Sequence, residues 1–440
     1  MPALSLSFAS IMSIATQSSS LTASSNDTLA DSMGGLVHAV AEQSAGMSRD
    51  EIRAGTSLAS IFALRMLGLF LILPVFAIHA KTLPGGDNAT LVGIAMGIYG
   101  ASQALLQLPF GMASDKYGRK RIIVLGLILF ALGAFISAGA TSVMGIAIGR
   151  AIQGAGAISA AITALIADVT REEHRTKAMA MVGGSIGLSF AISLVAAPAL
   201  YHSIGMGGIF IATGVLAILA IGVVLFVTPA APMIKAERVP FSVVLKNKEL
   251  MRLNYGVFVL HLSQVAMFVV VPSALVQYAG IPLESHWKVY LPVVFGSFLA
   301  MLPAIFVGEK RGKMKQVFVA AIALMLLVQF GFWQFLDHPA ILIGLLFAFF
   351  LAFNILEASQ PSLVSRIAPP AAKGTALGIY NTLQALGLAC GGVLGGYLKQ
   401  HVGPSSIFII GAGLSLAWLI IAANMPDLPR RTKTMQPAQA

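Results

Sequence analysis

Long apolar runs constrain this chain more than any other feature. They fall near residues 57–80, 91–111, 122–140, 143–167, 179–200 and 207–227. After a polar stretch six more follow, near 253–275, 289–307, 317–335, 341–363, 374–398 and 405–424. Each has roughly 19–25 residues, enough for a helix to cross a hydrocarbon core of about 30 Å. The composition agrees. Of 440 residues, 57% are apolar and only 10% are charged, whereas a soluble domain carries about a quarter charged residues. The 44 glycines suit close helix–helix contact in lipid. Residues 1–50 are rich in Ser, Thr and Ala. They show neither a helical period nor the basic lead of a signal peptide, and are read as a disordered extension. Met47, followed by Ser-Arg-Asp-Glu, marks an alternative start.

The net charge of +11 is unevenly placed. Basic residues gather between runs two and three (Lys116, Arg119, Lys120, Arg121), four and five (Arg171, Arg175, Lys177), and six and seven (Lys235, Arg238, Lys246, Lys248, Arg252). More lie between runs eight and nine (Lys310, Arg311, Lys313, Lys315), between ten and eleven (Arg366, Lys373), and in the tails (Arg49, Arg53, Arg430, Arg431, Lys433). The other side holds only Lys81, Lys288 and Lys399. Positive residues stay on the cytoplasmic side of a membrane, so both termini are expected there, in a bacterial inner membrane. The charge is a topology signal, and nucleic acid is excluded as a partner.

The chain also repeats itself. Asp115-Lys-Tyr-Gly118-Arg-Lys-Arg121 is matched by Glu309-Lys-Arg-Gly312-Lys-Met-Lys315, 194 positions on; Lys177-Ala-Met-Ala180 is matched by Lys373-Gly-Thr-Ala376, 196 positions on. Two matches at nearly one offset imply duplicated halves in parallel orientation. The expected fold is an all-α membrane protein with twelve transmembrane helices in two pseudo-symmetric six-helix bundles. The bundles are placed at 51–228 and 253–425, joined by a cytoplasmic linker at 229–252 and followed by a short tail at 426–440.

Residues 111–121, Gly-Met-Ala-Ser-Asp-Lys-Tyr-Gly-Arg-Lys-Arg, carry chemistry suited to a switch. Gly111 allows close helix approach, and Gly118 permits a sharp turn. Asp115 can accept hydrogen bonds from a facing helix N-terminus. Arg119 can pair with an acid at a nearby helix end, with Asp168 the candidate. With Lys120 and Arg121 these form a charge cluster able to hold one state and break in another. The segment resembles the loop signature of the major facilitator superfamily. Arg150-Ala-Ile-Gln153-Gly154-Ala-Gly156-Ala157 resembles the fourth-helix motif of its drug/proton antiporter branch. Gly183, Gly184, Gly187 and Pro198 match that branch's fifth helix in part, with Ala197-Pro198 in place of Gly-Pro. Arg65-Met-Leu-Gly68, Leu73-Pro74, His286-Trp-Lys-Val-Tyr290 and Phe353-Asn-Ile-Leu-Glu357 look like the YajR-type group, over residues 50–425. YajR-type chains often carry a soluble domain after the last span; only about sixteen residues follow Asn424 here, and no such domain is expected.

Ionisable residues inside apolar runs are costly and mark function. Glu357 is the only carboxylate well inside a run, roughly 24 Å along its helix, and is of the residue type that binds and releases protons. Arg65, Arg150 and His261 are the other embedded candidates. Arg65, Arg150, Gln153, Gly154, His261 and Glu357 are therefore expected on the substrate and proton pathway. No carboxylate lies deep in the first six runs, so the two arginines are expected to make that half locally positive, which suits neutral, zwitterionic or anionic compounds as well as cations.

The single Cys390 rules out a disulfide framework and a multi-cysteine metal site. No H-E-x-x-H, G-x-S-x-G or paired intramembrane acids occur, so no cofactor, metal or enzyme chemistry is expected. The resemblance implies proton-coupled efflux of a small molecule by alternating access, by a monomer in the lipid bilayer. Uptake by symport or facilitated diffusion, and a sensor without transport, are the other readings.

Overall fold

In the computed structural model, residues 46–229, 240–369 and 372–426 are described, apart from the side chains of Glu172, Glu173, Arg175, Thr176, Ala180 and Glu309. Most of the expected extension, residues 230–239 of the linker and nearly all of the tail lie outside them. The chain divides into a leading unit, residues 1–49, and a unit of residues 50–440 that carries the bundle.

The first span is α1 (Arg49–Phe70) continued by α2 (Leu73–His79). Pro74, which lacks a backbone donor, sits just past the break. The second and third are α3 (Ala89–Tyr117) and α4 (Arg119–Ala138). The fourth is broken into α5 (Val143–Ala155) and α6 (Ser159–Val169). The fifth and sixth form one helix by hydrogen bonding, α7 (Glu172–Gly222), with non-helical backbone at Gly205 (φ 67°). A π-turn, Val223–Val227, ends it. After the short α8 (Phe241–Leu245) come α9 (Lys248–Gln277), α10 (Trp287–Arg311), α11 (Met314–Phe335), α12 (Pro339–Ile367), α13 (Lys373–His401) and α14 (Ser406–Ala423). Eleven described segments are long and apolar enough to cross a membrane. The 51-residue α7 is twice the needed length, so its break at Gly205 makes twelve spans.

Several helices start or end beyond the apolar runs. α3 continues from 111 to Tyr117, and α1 starts eight residues before 57. Apolarity marks only the part in hydrocarbon, whereas helical hydrogen bonding continues to a cap. Asn88 accepts from Leu91 N at 3.0 Å, and Asn247 from Glu249 N and Leu250 N at 3.0 and 3.2 Å; such caps contribute about 1 kcal/mol.

The duplication is visible in the backbone. Among the described residues, six glycines have positive φ: Gly85, Gly118 and Gly205, then Gly280, Gly312 and Gly403. They form three pairs at offsets of 195, 194 and 198. In each half the chain turns left-handed at the same three points.

The halves meet mainly where α3 packs on α13, where α2 packs on α9, and where α7 packs on α10. The end of the bundle bearing the Gly118 and Gly312 turns is here the basic end. Toward the opposite end α3 and α13 are separated by almost no side chain. A Cβ on Gly93 would lie 2.2 Å from Gly392 O, one on Gly97 2.5 Å from Ala389 O, and one on Gly100 2.4 Å from Ala385 O. Toward the basic end, Gly183, Gly184 and Gly187 of α7 and Gly374 and Gly378 of α13 have no atom within 4 Å of such a Cβ. The seam is tight at the opposite end and loose at the basic end.

Candidate functional site

Three clusters of polar side chains are built into this frame. The first is at the basic end. Gly118 (φ 98°) ends α3 and starts α4 at once, which projects Arg119 back over the last turn of α3. Its guanidinium donates to Asp168 Oδ2 at 2.9 Å and to Ser114 Oγ at 2.8 Å, and pairs with Asp115. Ser114 Oγ donates in turn to Gly111 O at 2.7 Å. Asp168 lies at the C-terminal end of α6, where the helix dipole disfavours a carboxylate; Arg119 offsets this. Lys120 Nζ donates to Thr228 O, and Arg53 Nη2 to Phe226 O at 3.3 Å. Both cations thus meet the carbonyls at the end of the sixth span, the sign the dipole favours. Arg121 is exposed. Gly111 faces Ala160, 3.3 Å from the Cβ it lacks. One tie was not foreseen: Glu51, 4% exposed, accepts from Arg171 N at 2.8 Å, Nε at 3.1 Å and Nη2 at 2.9 Å.

The second cluster lies inside the N-terminal half. Arg65 and Arg150 are 0% and 2% exposed and share Tyr99. Arg65 Nη2 donates to Tyr99 Oη at 2.5 Å and Gly156 O at 3.4 Å, and Nη1 to Ser159 Oγ at 3.5 Å. Arg150 donates from Nε to Ala95 O and from Nη2 to Met96 O, both at 3.4 Å. The two guanidinium carbons stand 5.8 and 5.2 Å from the Tyr99 ring centre. Gly154 lets α5 reach α3: its Cβ would lie 2.2 Å from Tyr99 O. Gln153 is 0% exposed and packs against Gly133. Within the break between α5 and α6 the Gly156 carbonyl accepts from Ile158 N at 2.9 Å and also faces Arg65. Both arginine heads are therefore sealed among helices, and the expected positive lining of this half is not formed in this state. Ser185, Ser189 and Ser193 fasten α7 to α1 by donating to Ala59, Ala63 and Leu67 carbonyls at 2.9, 3.1 and 3.1 Å.

The third cluster lies at the matching place in the C-terminal half. His261, on α9, stands 196 positions after Arg65; Glu357, on α12, stands 198 after Ser159. The structure brings them together, with His261 Nε2 3.6 Å from Glu357 Oε2 and the side chains 4% and 28% exposed. His261 Nδ1 meets Val257 O at 3.0 Å. A carbonyl only accepts, so Nδ1 carries the proton and Nε2 of the neutral ring is an acceptor. Gln384 Nε2, at 2.7 Å, is placed to donate to it. Phe353 lies edge-on to the imidazole at 5.9 Å and belongs to an aromatic group in which Phe190, from the other half, touches Phe268, Phe350 and Phe353.

Tyr99, Gln384, Phe190 and Glu51 were missed by sequence reasoning. Gly93, Gly97 and Gly100 and the serines at spacing four carried a periodic signal that could have been read. Tyr99 and Gln384 carried none, because they matter only through what folds against them.

Twelve spans in two pseudo-repeats, with embedded ionisable groups in each, define a multi-pass membrane transporter. The sequence profile of the Major Facilitator Superfamily matches residues 58–389 and 257–439, and the chain belongs to that family, whose members are transporters and not enzymes. It is 42% identical over 392 residues, 87% of this chain and 85% of the relative, to the inner membrane transport protein YajR of Escherichia coli (strain K12). It is 26% identical over 386 residues, 83% of this chain and 86% of the relative, to the multidrug resistance protein MdtH of Photorhabdus laumondii. In fold it is similar to the human organic anion transporter MFSD10 (TETRAN), with a TM-score of 0.66 at 18% identity, covering 85% of this chain and all of that one. A bacterial homologue of the human lysosomal transporter Spinster, inward-facing and occupied, gives 0.62 at 15%, covering 86% and 96%.

Proposed function

We propose that the chain is a proton-coupled exporter of a small molecule, and that His261 and Glu357 carry the coupling. The observation behind this is the shared position of Nε2 between two partners. In the neutral ring Nε2 accepts from the Gln384 amide, which joins α9 to α13. A proton arriving on Nε2 turns the acceptor into a donor. The Gln384 N–H then opposes an N–H, and the imidazolium turns its charge to the Glu357 carboxylate on α12. Protonation exchanges a hydrogen bond to one helix for an ion pair to another, a local event that biases a two-state element. Export is favoured by the antiporter-like residues Arg150, Gln153, Gly154 and Gly156, and by the likeness to MdtH.

On the charge distribution, the basic end faces the cytoplasm, both termini lie on that side, and the membrane is a bacterial inner membrane. The loose seam then opens to the cytoplasm and the tight seam closes the outer side. Residues 51–228 and 253–425 act as two rocking bundles joined by the linker 229–252. The Asp115–Arg119–Asp168 cluster, with Gly111, Gly118, Lys120 and Arg121, holds the N-terminal bundle in one arrangement at its cytoplasmic end.

Inverted membrane vesicles with an imposed proton gradient test this. A compound that collapses the gradient with wild type and not with Glu357→Gln places Glu357 on the coupling path. If Glu357→Gln behaves as wild type while Asp115→Asn is inactive, the carboxylate is structural and the coupling assignment is lost.

A further inference from the structure

Lysines are scarce on the outer face: only Lys81, Lys288 and Lys399 lie there. Two of these three line one cavity of about 430 Å³, together with Asp87, Ala89, Val269 and Gln400. The cavity sits on the closed seam. Lys81, Asp87 and Ala89 belong to the N-terminal half; Val269, Lys399 and Gln400 belong to the C-terminal half. Beside it the halves are stitched directly, with Ala89 N donating to Gln400 Oε1 at 2.6 Å.

The lining carries two ammonium groups against the one carboxylate of Asp87, a positive excess. Lys399 is partly buried and uses one ammonium proton on Val269 O at 2.9 Å, which leaves two for the cavity. Lys81 is exposed and lines the same cavity from the other half. Asp87 pairs with neither lysine among the described residues. The first turn of α3, at Ala89, adds the partial positive charge of a helix N-terminus. Two like charges from opposite halves therefore converge when the outer gate closes. An anion held between them would offset the positive excess that Asp87 leaves.

We propose that this cavity binds a phosphate group across Lys81 and Lys399, and that the bound group stabilises the outer-closed state. The shared ligand chemistry is the anionic phosphate group, supplied by free inorganic phosphate or by the phosphodiester of an anionic lipid headgroup. The inference rests on the alternating-access reading above. Its readout uses no proton gradient, so its failure leaves the His261–Glu357 coupling untouched.

The test is the distance between spin labels at Thr82→Cys and Val402→Cys, one from each half, with Cys390 replaced by Ala. The full chain is placed in vesicles at constant ionic strength. One arm adds inorganic phosphate, with chloride as control, in phosphatidylcholine vesicles. The other replaces the lipid with phosphatidylglycerol and omits phosphate. The expected result is a rise in the short-distance population in at least one arm, saturating in the first, and a loss of that response by at least tenfold in apparent affinity in Lys81→Gln. Response in the first arm identifies a free anion, and in the second a lipid. Lys81 makes no described hydrogen bond, so its loss leaves the fold intact; Lys399→Gln is the supporting variant. No response in either arm, or an equal response in wild type and Lys81→Gln, overturns the proposal.

Discussion

Tyr99 is wedged between two buried guanidinium groups, its hydroxyl taken by Arg65 and its ring facing Arg150 as well. Charges at this depth persist only where hydroxyls, carbonyls and ring faces replace water. Tyr99→Phe keeps the ring and removes one hydrogen-bond partner. The buried Nη2 of Arg65 then keeps only the longer contact to Gly156 O at 3.4 Å. The variant is expected to be less stable by about 1–3 kcal/mol, read as a lower melting temperature in detergent. An unchanged melting temperature means that water or a shift of Arg65 replaces the hydroxyl. The arginines themselves stood out in the sequence as charges in apolar runs. Their partner did not, because a tyrosine in an apolar run is ordinary until its neighbours are known.

At the scale of elements, glycine placement separates tight from loose contacts. A methyl group on Gly97 would lie 2.5 Å from the backbone oxygen of Ala389, and one on Gly184 would meet nothing within 4 Å. Gly97→Ala must push α3 and α13 apart, and overpacking of this kind costs about 1–3 kcal/mol. Gly184→Ala removes a helix-interior glycine and is expected to be neutral or to stabilise by up to about 1 kcal/mol. Paired melting curves check the contrast; equal destabilisation in both would show that α7 is packed there. The apolar runs located every span in sequence. They did not show the breaks at Leu71–Ile72 and Gly156–Ile158, nor the hydrogen-bonded continuity of α7 through Gly205. Those go with Pro74, with the tight backbone turns at Ala157 and Ile158, and with one glycine backbone angle.

At the scale of the whole molecule, orientation decides which gate is which. Single cysteines in a Cys390→Ala background test it in intact cells with a membrane-impermeant maleimide. Asp87→Cys is expected to label from outside and Lys116→Cys only after the membrane is breached. The reverse pattern would invert the orientation and, with it, the side to which the loose seam opens.

The sequence alone determined the membrane class, the positions of the spans, the duplication and the pairing of Arg119 with Asp168 at the basic end. These rest on period, length and charge, which are local or additive along the chain. It also named Arg65, Arg150, His261 and Glu357 as the embedded ionisable groups, because each violates the apolarity around it. Only the tertiary structure decided that the arginines are sealed around Tyr99 while His261 and Glu357 meet. Likewise, only the fold placed Lys81 and Lys399, more than three hundred positions apart in sequence, on one cavity. The reason is physical: hydrogen bonds and ion pairs act over a few ångströms in space, and distance along a chain does not set distance across a helix bundle.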